Sequence, residues 1–255
     1  VAPVALHSEN WIFRTDDGAD LITAGNSAEK EASEAECDID ISRIMDFKYA
    51  HAAASGLPTK VSVSELKARH ETTLVPMPEF LSGSRTDGAY YGSAMHSAMQ
   101  NFVPSAGMDE EYARSELSRL AASGLLTEAE LEMINPRKIL DFYRSELGVR
   151  LLNSKKVMRE QTFEVSAPAA YLFPGSYAPD DENILLQGVI DCWFEEDDGI
   201  VLLDYKTDSF RDTEEIRRKY ALQVELYAYA LEKITKKTVK NKYIYLFFDN
   251  SVLYL

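Results

Sequence analysis

Two apolar segments separated by a short acidic turn constrain the fold of this chain more than any other feature. Residues 184–194 and 200–205 are rich in β-branched, aromatic and other apolar side chains, and Asp198-Gly199 between them is typical of a hairpin turn. The second segment contains the uninterrupted apolar run 201–203, which favours a strand that is buried on both faces. The sequence therefore predicts a β-hairpin whose second strand lies inside a sheet.

Three charged residues interrupt this apolar hairpin, where burial makes charge costly. Asp191 belongs to the first strand, and Asp204 and Lys206 to the end of the second. With the turn centred between 197 and 198, Asp191 lies opposite Asp204; with the turn centred between 198 and 199, it lies opposite Lys206, whereas a half-step register would separate the three residues. Because side chains alternate along a strand, all three share one face in both registers. Alternatively, Asp204 and Lys206 form a surface ion pair of little consequence.

The residue types at these three positions suit phosphodiester chemistry. Two carboxylates from neighbouring strands can hold a hard divalent cation such as Mg²⁺. An ammonium group beside them can bind a phosphate and orient an attacking water. Metal-assisted hydrolysis of a phosphodiester is therefore the hypothesis that Asp191, Asp204 and Lys206 support best.

The segments around the hairpin predict an α/β protein with a mixed central sheet, flanking helices and a helical N-terminal part. Capping boxes begin helices at Ser62 and Thr127. Asn135-Pro136 begins another helix, which we expect to continue to about residue 147. A long helical segment at 212–235 lies between two strands, a pattern that predicts a parallel crossover.

Residues 156–165 alternate in the manner of a further strand. Strict alternation puts one set on one face, namely Val157, Arg159, Gln161 and Phe163. Glu160 then belongs to the opposite face, where it could simply meet solvent.

Composition indicates how the chain divides into an extension and a folded domain. Residues 1–45 are predominantly small and acidic, and we expect a linker or extension there, followed by a folded domain over 46–255. No apolar run approaches the roughly 20 residues of a membrane span. Only two cysteines are present, which gives no disulfide framework and suits a reducing cytoplasm.

The net charge of −15 argues against a DNA-binding surface that works alone. Basic residues do cluster locally, at Arg217-Arg218-Lys219 and between 233 and 242. If the chain acts on DNA, we expect a partner or a companion domain to supply most of the affinity.

Several motifs in order along the chain resemble those of the RecB-type nucleases in the PD-(D/E)xK superfamily. They are Gly188-x-Ile190-Asp191, then Leu203-Asp204-Tyr205-Lys206-Thr207-Asp208, then Gln223-x-x-x-Tyr227, with Gly92-Ser93-Ala94-Met95-His96 and Arg159-Glu160-Gln161 before them. Over about residues 46–255, the set is similar to the nuclease domains of AddA-type helicase–nucleases. The resemblance implies a restriction-endonuclease-like fold and cleavage of DNA.

The resemblance also implies roles. His96, Asp191 and Asp204 would ligate Mg²⁺, with the Tyr205 carbonyl as a further ligand, and Lys206 would orient the water and offset charge. Mn²⁺ could substitute, because an imidazole ligand is unusual for Mg²⁺. The auxiliary residues would support the site or contact DNA; they are Glu160, Gln223 and Tyr227.

From the residues alone, plainer interpretations stay open for these positions. His96 could be a core histidine beside a Met-rich stripe, Gln223 a surface amide and Tyr227 a helix–sheet packing residue.

The family context predicts a larger assembly. The chain has no GxxxxGK[ST] loop, so ATP would serve only a helicase part outside this sequence. The expected role is an exonuclease or endonuclease in double-strand break repair and recombination. Its partners would be single-stranded DNA from the unwound duplex and a second helicase–nuclease protein of AddB type. Two alternatives are a non-catalytic DNA-binding or assembly module with a degenerate nuclease fold, and a stand-alone exonuclease.

Overall fold

A mixed β-sheet lies at the centre of the structure, a computed structural model that describes residues 54–71, 85–175, 182–210 and 212–255. All of these residues belong to one compact unit, Tyr49–Leu255, and the expected linker at 1–45 lies outside them. The six described strands are β1 (Lys60–Ser62), β2 (Val157–Pro168), β3 (Asn183–Glu196), β4 (Gly199–Lys206), β5 (Val239–Leu246) and β6 (Ser251–Tyr254). Parallel and antiparallel pairs both occur, which confirms the mixed sheet.

Strand β3 organises the sheet because three other strands pair with it. On one side, β2 runs antiparallel along its whole length. On the other side, β1 pairs with residues 185–187 and β4 pairs with residues 192–196. Between these two partners, residues 188–190 pair only with β2 among the described strands, and none of the strand pairs includes Asp191. The sheet therefore has an opening beside Asp191.

Helices cover both faces of the sheet. They are α1 (Val63–Glu71), α2 (Arg85–Asn101), α3 (Glu110–Ala122), α4 (Glu128–Met133), α5 (Pro136–Arg144), α6 (Glu146–Leu152), α7 (Ala169–Leu172) and α8 (Thr213–Thr235). Helices α1 and α8 share one hydrophobic core with the sheet. A second core lies on the other face, between the sheet and helices α2, α3, α5 and α6.

The parallel crossover predicted from the sequence is confirmed. Helix α8 connects β4 to β5, and these strands pair in parallel from Ile200↔Val239 to Lys206↔Leu246. The apolar run in β4 is fully buried, as a strand with neighbours on both sides requires. This arrangement brings the charged end of β4 beside the middle of α8.

The predicted capping boxes are present. Ser62 Oγ accepts from the Glu65 amide at 3.1 Å, and Glu65 accepts in return from the Ser62 amide at 2.7 Å. Thr127 and Glu130 form the equivalent pair at the start of α4. The expectation of one helix from Asn135 to about residue 147 is wrong, because α5 ends at Arg144 and α6 begins at Glu146.

Strict alternation along β2 is also wrong. Val157 and Arg159 lie on the face covered by helices α2, α3, α5 and α6, where Arg159 donates to the Tyr143 hydroxyl at 3.1 Å. Phe163 packs in the opposite core, and Gln161 accepts from Trp193 Nε1 of that core at 2.7 Å. The faces change at Glu160, whose φ of +46° is left-handed and reverses the direction of the strand's side chains.

Candidate metal and catalytic site

The hairpin register decides where the predicted acids meet. Strands β3 and β4 pair from Glu196↔Gly199 to Cys192↔Leu203, so the turn is centred between residues 197 and 198. Continued by one residue, this register sets Asp191 opposite Asp204, the first of the two predicted registers. The ladder ends there, and Asp191 Oδ2 accepts a hydrogen bond from the Tyr205 amide at 2.8 Å. Asp191 thus lies at the opening in the sheet and is 7% exposed.

Asp191 shares this opening with two residues from other elements. His96 Nδ1 from α2 lies 3.3 Å from Glu160 Oε1 and 3.6 Å from Asp191 Oδ2. One ligand atom from each residue lies within 4.8 Å of the others. The structure therefore brings together His96 and Asp191 of the predicted ligands, with Glu160 as the third member of the cluster and Asp204 outside it.

The orientation of the His96 ring leaves one nitrogen facing the acids. His96 Nε2 lies 3.1 Å from the Tyr205 carbonyl oxygen, which can only accept a hydrogen bond. With the ring proton on Nε2, the Nδ1 lone pair would be free to ligate a cation held by Glu160 and Asp191. Without a cation, a proton on Nδ1 would donate to Glu160 Oε1, 3.3 Å away. The carbonyl that the sequence suggested as a metal ligand thus contacts the ring of His96.

These three residues fit a divalent cation. Oxygen and nitrogen ligands lie about 2.0–2.6 Å from such an ion, so two ligands of one ion are at most about 5 Å apart. The 4.8 Å limit on the separations in the cluster meets this condition. Two carboxylates and one imidazole also match the donor types that Mn²⁺ and related ions accept.

Glu160 reaches the cluster through an unusual backbone. Its position in the β2–β3 register is opposite Asp191, between the pairs Arg159↔Cys192 and Gln161↔Ile190. A left-handed conformation is uncommon for a residue other than glycine and costs about 1–2 kcal/mol. Strain of this kind concentrates at functional sites, so the conformation adds support for a role of Glu160.

Gly92 lets helix α2 approach the end of β4 closely enough for His96 to reach the cluster. A Cβ atom at Gly92 would lie 3.2 Å from Thr207 Oγ1, tighter than an ordinary contact. A larger residue at position 92 would therefore require the Thr207 side chain or the helix to shift by a few tenths of an ångström.

Asp204 and Lys206 form a second group beside the cluster. Asp204 is completely buried, and its Oδ2 lies 2.6 Å from Lys206 Nζ. Apart from that ion pair, Oδ2 has no hydrogen-bond partner among the described residues. Asp204 Oδ1 accepts from Gln223 Nε2 at 3.1 Å, and the same nitrogen lies 3.0 Å from the Tyr227 hydroxyl. Gln223 is therefore a polar partner of the site rather than a surface amide.

Burial and charge shift the ionisation of both groups. Burial raises the pKa of Asp204 to about 6, with Asp191 acting in the same direction and Lys206 against it. Burial of Lys206 favours its neutral form, but the charges of Asp204 and Asp191 outweigh this and raise its pKa. Burial likewise opposes protonation of His96, yet the hydrogen bond to Glu160 and the charge of Asp191 raise its pKa. Lys206 is therefore a cation at neutral pH.

Residues of the cluster line two clefts. A cleft of about 1200 Å³ is lined by His96 and Glu160. A second, of about 770 Å³, is lined by Asp191 and Tyr227 and lies at the opening between β1 and β4. A chain-like substrate can thus approach the cluster from either side.

Residues 65–254 match the PD-(D/E)XK nuclease superfamily. Relatives named as the A component of an ATP-dependent helicase/nuclease include that of Clostridium botulinum strain 657, 36% identical over 89% of this chain, and that of Clostridium novyi strain NT, 35% identical over 83%. The chain covers 18% of the length of each.

A solved structure titled "Crystal structure of SSO0001" aligns with 84% of this chain and 71% of its own, at 8% identity and a TM-score of 0.32, too weak to support an argument. No described helix has the length and apolar character that a bilayer crossing requires. The family match covers most of the sequence, including the whole candidate site, and the chain belongs to the PD-(D/E)XK nuclease superfamily.

Proposed function

We propose that this chain is the nuclease domain of a helicase–nuclease and hydrolyses DNA phosphodiester bonds with a divalent cation. The observation that carries the proposal is the position of the His96–Glu160–Asp191 cluster beside the buried Asp204–Lys206 pair. The cluster residues line two clefts, His96 and Glu160 one and Asp191 the other, so a phosphodiester could reach the cluster. The relatives' name, which describes an ATP-dependent helicase/nuclease, agrees with this chemistry.

Each side chain has a separate task in the proposed reaction. When bound at the cluster, a divalent ion supplies positive charge for the scissile phosphate and acidifies water. Lys206, held as a cation by Asp204, offsets the negative charge that gathers on the phosphate in the transition state. Gln223 fixes the Asp204 carboxylate, and the Tyr205 carbonyl fixes the His96 ring, so neither must reorganise during the reaction.

We propose Mg²⁺ as the physiological ion, with Mn²⁺ as a substitute. Two carboxylates favour a hard cation, whereas the imidazole nitrogen improves the fit of Mn²⁺. The ligands we propose are His96, Glu160 and Asp191, with Asp204 available if Lys206 moves away from its Oδ2. Tyr205 then contributes by orienting His96.

The proposed biological setting goes beyond the relatives' name, which describes only an ATP-dependent helicase/nuclease. We propose exonuclease or endonuclease action on a single strand released by a helicase, in the cytoplasm, during double-strand break repair and recombination. A second protein of AddB type and the remainder of a longer chain would supply DNA affinity. The net charge of −15 supports such a division of labour.

The decisive experiment is cleavage of end-labelled single- and double-stranded DNA, first without metal and then with Mg²⁺ or Mn²⁺ restored. We expect Asp191→Asn and Lys206→Ala each to reduce the rate by about 100-fold or more. Asp191→Asn removes a carboxylate that would hold the cation, and Lys206→Ala removes positive charge that would stabilise the transition state. Matched controls are Asp197→Asn and Lys155→Ala, an acid and a lysine at the exposed hairpin end, 99% and 90% exposed. Undiminished metal-dependent cleavage by both site variants would refute the proposal.

A further inference from the structure

An exposed aromatic ring lies on the same cleft as the candidate metal ligands. Phe248, in the turn between β5 and β6, is 61% exposed, the largest exposure among the described large apolar side chains. It lines the 1200 Å³ cleft together with His96 and Glu160. A single exposed apolar residue is ordinary on a protein surface, so its position and its support decide whether it has a function.

The turn that carries Phe248 is firmly held. Lys138 Nζ donates to the Phe248 carbonyl at 2.7 Å, and Asn250 Nδ2 donates to Asp141 Oδ2 at 2.8 Å. The neighbouring Phe247 amide donates to the Lys206 carbonyl at 2.8 Å. The backbone of the exposed ring is thus fixed relative to the catalytic strand, and a ligand that stacks on the ring orders little of the chain.

Stacking on Phe248 also requires space for a planar ligand, and small residues border the cleft. Helix α2 lines the cleft with the small residues Gly88, Ala89, Gly92 and Ser93, alongside the larger Tyr91, His96 and Gln100. The cleft volume exceeds the several hundred Å³ that small-molecule ligands commonly occupy. A nucleotide can therefore enter between α2 and the turn without displacing protein atoms.

The charge of the cleft disfavours binding through phosphates alone. Among the described residues that line it, Lys219 is the one lysine or arginine, whereas Glu160, Asp208 and Glu215 are acidic. Phosphate contacts depend on a basic surface, but stacking of a base on an aromatic ring does not. Only an unpaired base exposes its face in this way, because a duplex keeps its bases stacked inside.

We propose that Phe248 is a base-stacking residue that holds one unpaired nucleobase of single-stranded DNA beside the metal cluster. This inference rests on the proposed nuclease function and adds a substrate contact to it. Stacking positions the strand, so that the phosphate next to the held nucleotide meets the cluster. Phe248 thereby selects single strands over duplex at this cleft.

The test is a double-mutant cycle of binding affinity, with one change in the protein and one in the oligonucleotide. It is performed in EDTA so that it does not depend on cleavage. Single-stranded oligonucleotides of one sequence carry one abasic nucleotide at each successive position. We expect one position at which base removal weakens binding by about 10-fold, and Phe248→Ala to weaken binding of the intact strand equally. Combined, the two changes should cost no more than either alone. Phe248→Trp should restore binding.

The control variant is Tyr254→Ala, which removes a similarly exposed aromatic ring, 53% exposed, that lines neither cleft. It should leave single-strand affinity unchanged, and Phe248→Ala should leave duplex affinity unchanged. Additive losses, equal affinity of Phe248→Ala and the unaltered chain, or no binding of any strand would overturn the assignment of Phe248. Absent cleavage with an intact binding cycle would count against the nuclease proposal alone.

Discussion

At the scale of single residues, the backbone of Glu160 gives a prediction with an unusual sign. Its left-handed φ of +46° penalises any side chain with a Cβ, whereas glycine adopts this conformation freely. We therefore expect Glu160→Gly to be more stable than Glu160→Ala by about 1 kcal/mol in urea unfolding without metal. Both variants lose the carboxylate, so their difference reports the backbone alone.

Thr162, two residues further along β2 and exposed, provides the matched control. Thr162 does not have a positive φ, so the Thr162→Ala variant should be more stable than Thr162→Gly, the usual order within a strand. The same order at both positions would contradict the assignment of backbone strain to Glu160.

The carboxylate of Glu160 should matter for metal binding, because it lies 3.3 Å from His96 Nδ1 within the proposed ligand cluster. A ligand that binds only the folded state raises the midpoint of thermal unfolding. We expect Mn²⁺ to stabilise the chain and Glu160→Gln to lose most of this stabilisation. Differential scanning fluorimetry across a Mn²⁺ titration measures it.

Glu164→Gln is the comparison for this experiment, since Glu164 is exposed on the same strand and lies outside the cluster. Its thermal response to Mn²⁺ should match that of the unaltered chain. If Glu160→Gln responds to Mn²⁺ as fully as Glu164→Gln, Glu160 is not a ligand.

Part of the site could be predicted from the sequence, because the local geometry of a hairpin determines which side chains lie together. Alternation was enough to predict that Asp191, Asp204 and Lys206 lie close together in either of two hairpin registers. The structure has the register that continues to Asp191 opposite Asp204, with Lys206 beside Asp204. Glu160 was underestimated because no tight turn sets the register of β2 against β3; residues 169–182 separate them. The reversal of faces at Glu160 depends on a single φ value, which no periodic pattern reveals.

At the scale of elements, the corner between α5 and α6 depends on Gly148. A Cβ atom there would lie 2.1 Å from the Phe142 carbonyl oxygen, so the backbone would have to move. We expect Gly148→Ala to lower the free energy of unfolding by about 3 kcal/mol, the upper part of the range for overpacking. Chemical denaturation followed by circular dichroism measures this loss.

Gly56→Ala is the control, because a Cβ atom at Gly56 would meet nothing within 4 Å. Its effect should be within about 0.5 kcal/mol, as for an ordinary surface substitution. Comparable losses in both variants would show that the tight contact at Gly148 does not determine the corner.

This corner also explains why one predicted helix became two. Apolar residues continue at helical spacing through Leu147, so periodicity gave no sign of an end. The break arises because Ser145 Oγ accepts from the Gly148 amide at 3.1 Å and caps a new helix. By contrast, the capping boxes and the strand–helix–strand crossover follow from short-range signals, and the sequence predicted them.

At the scale of the whole molecule, one partly buried network joins helix α6 to the sheet. Arg150 of α6 donates to Glu196 in the hairpin at 2.9 Å, to Asn241 at 3.0 Å and to the Tyr243 hydroxyl at 3.1 Å in β5. Neither partner of the ion pair is more than 26% exposed, so solvent screens it only partly. The network connects three elements that are distant in sequence.

The Arg150–Glu196 pair predicts how stability depends on pH. The hydrogen bond from Arg150 holds the pKa of Glu196 at about 2, well below its usual 4.5. A lowered folded-state pKa means that the unfolded chain binds the proton first as the pH falls. The stabilisation is therefore complete above about pH 4.5 and is lost progressively as the pH falls toward 2. Allowing for screening, the amount is on the order of 1–2 kcal/mol.

Urea unfolding at pH values from 6 to 2.5 tests this expectation in the unaltered chain and in Glu196→Gln. The glutamine variant should start less stable and lose less stability on acidification, since residue 196 no longer takes up a proton. Asp197→Asn, at the adjacent and fully solvated position, should keep the slope of the unaltered chain because its ion pair with Lys155 is exposed. The contrary outcome is that the free energy of unfolding falls with the same slope in Glu196→Gln and Asp197→Asn below pH 4.5. The acid sensitivity would then originate outside the Arg150 network, and this network would not join the helices to the sheet energetically.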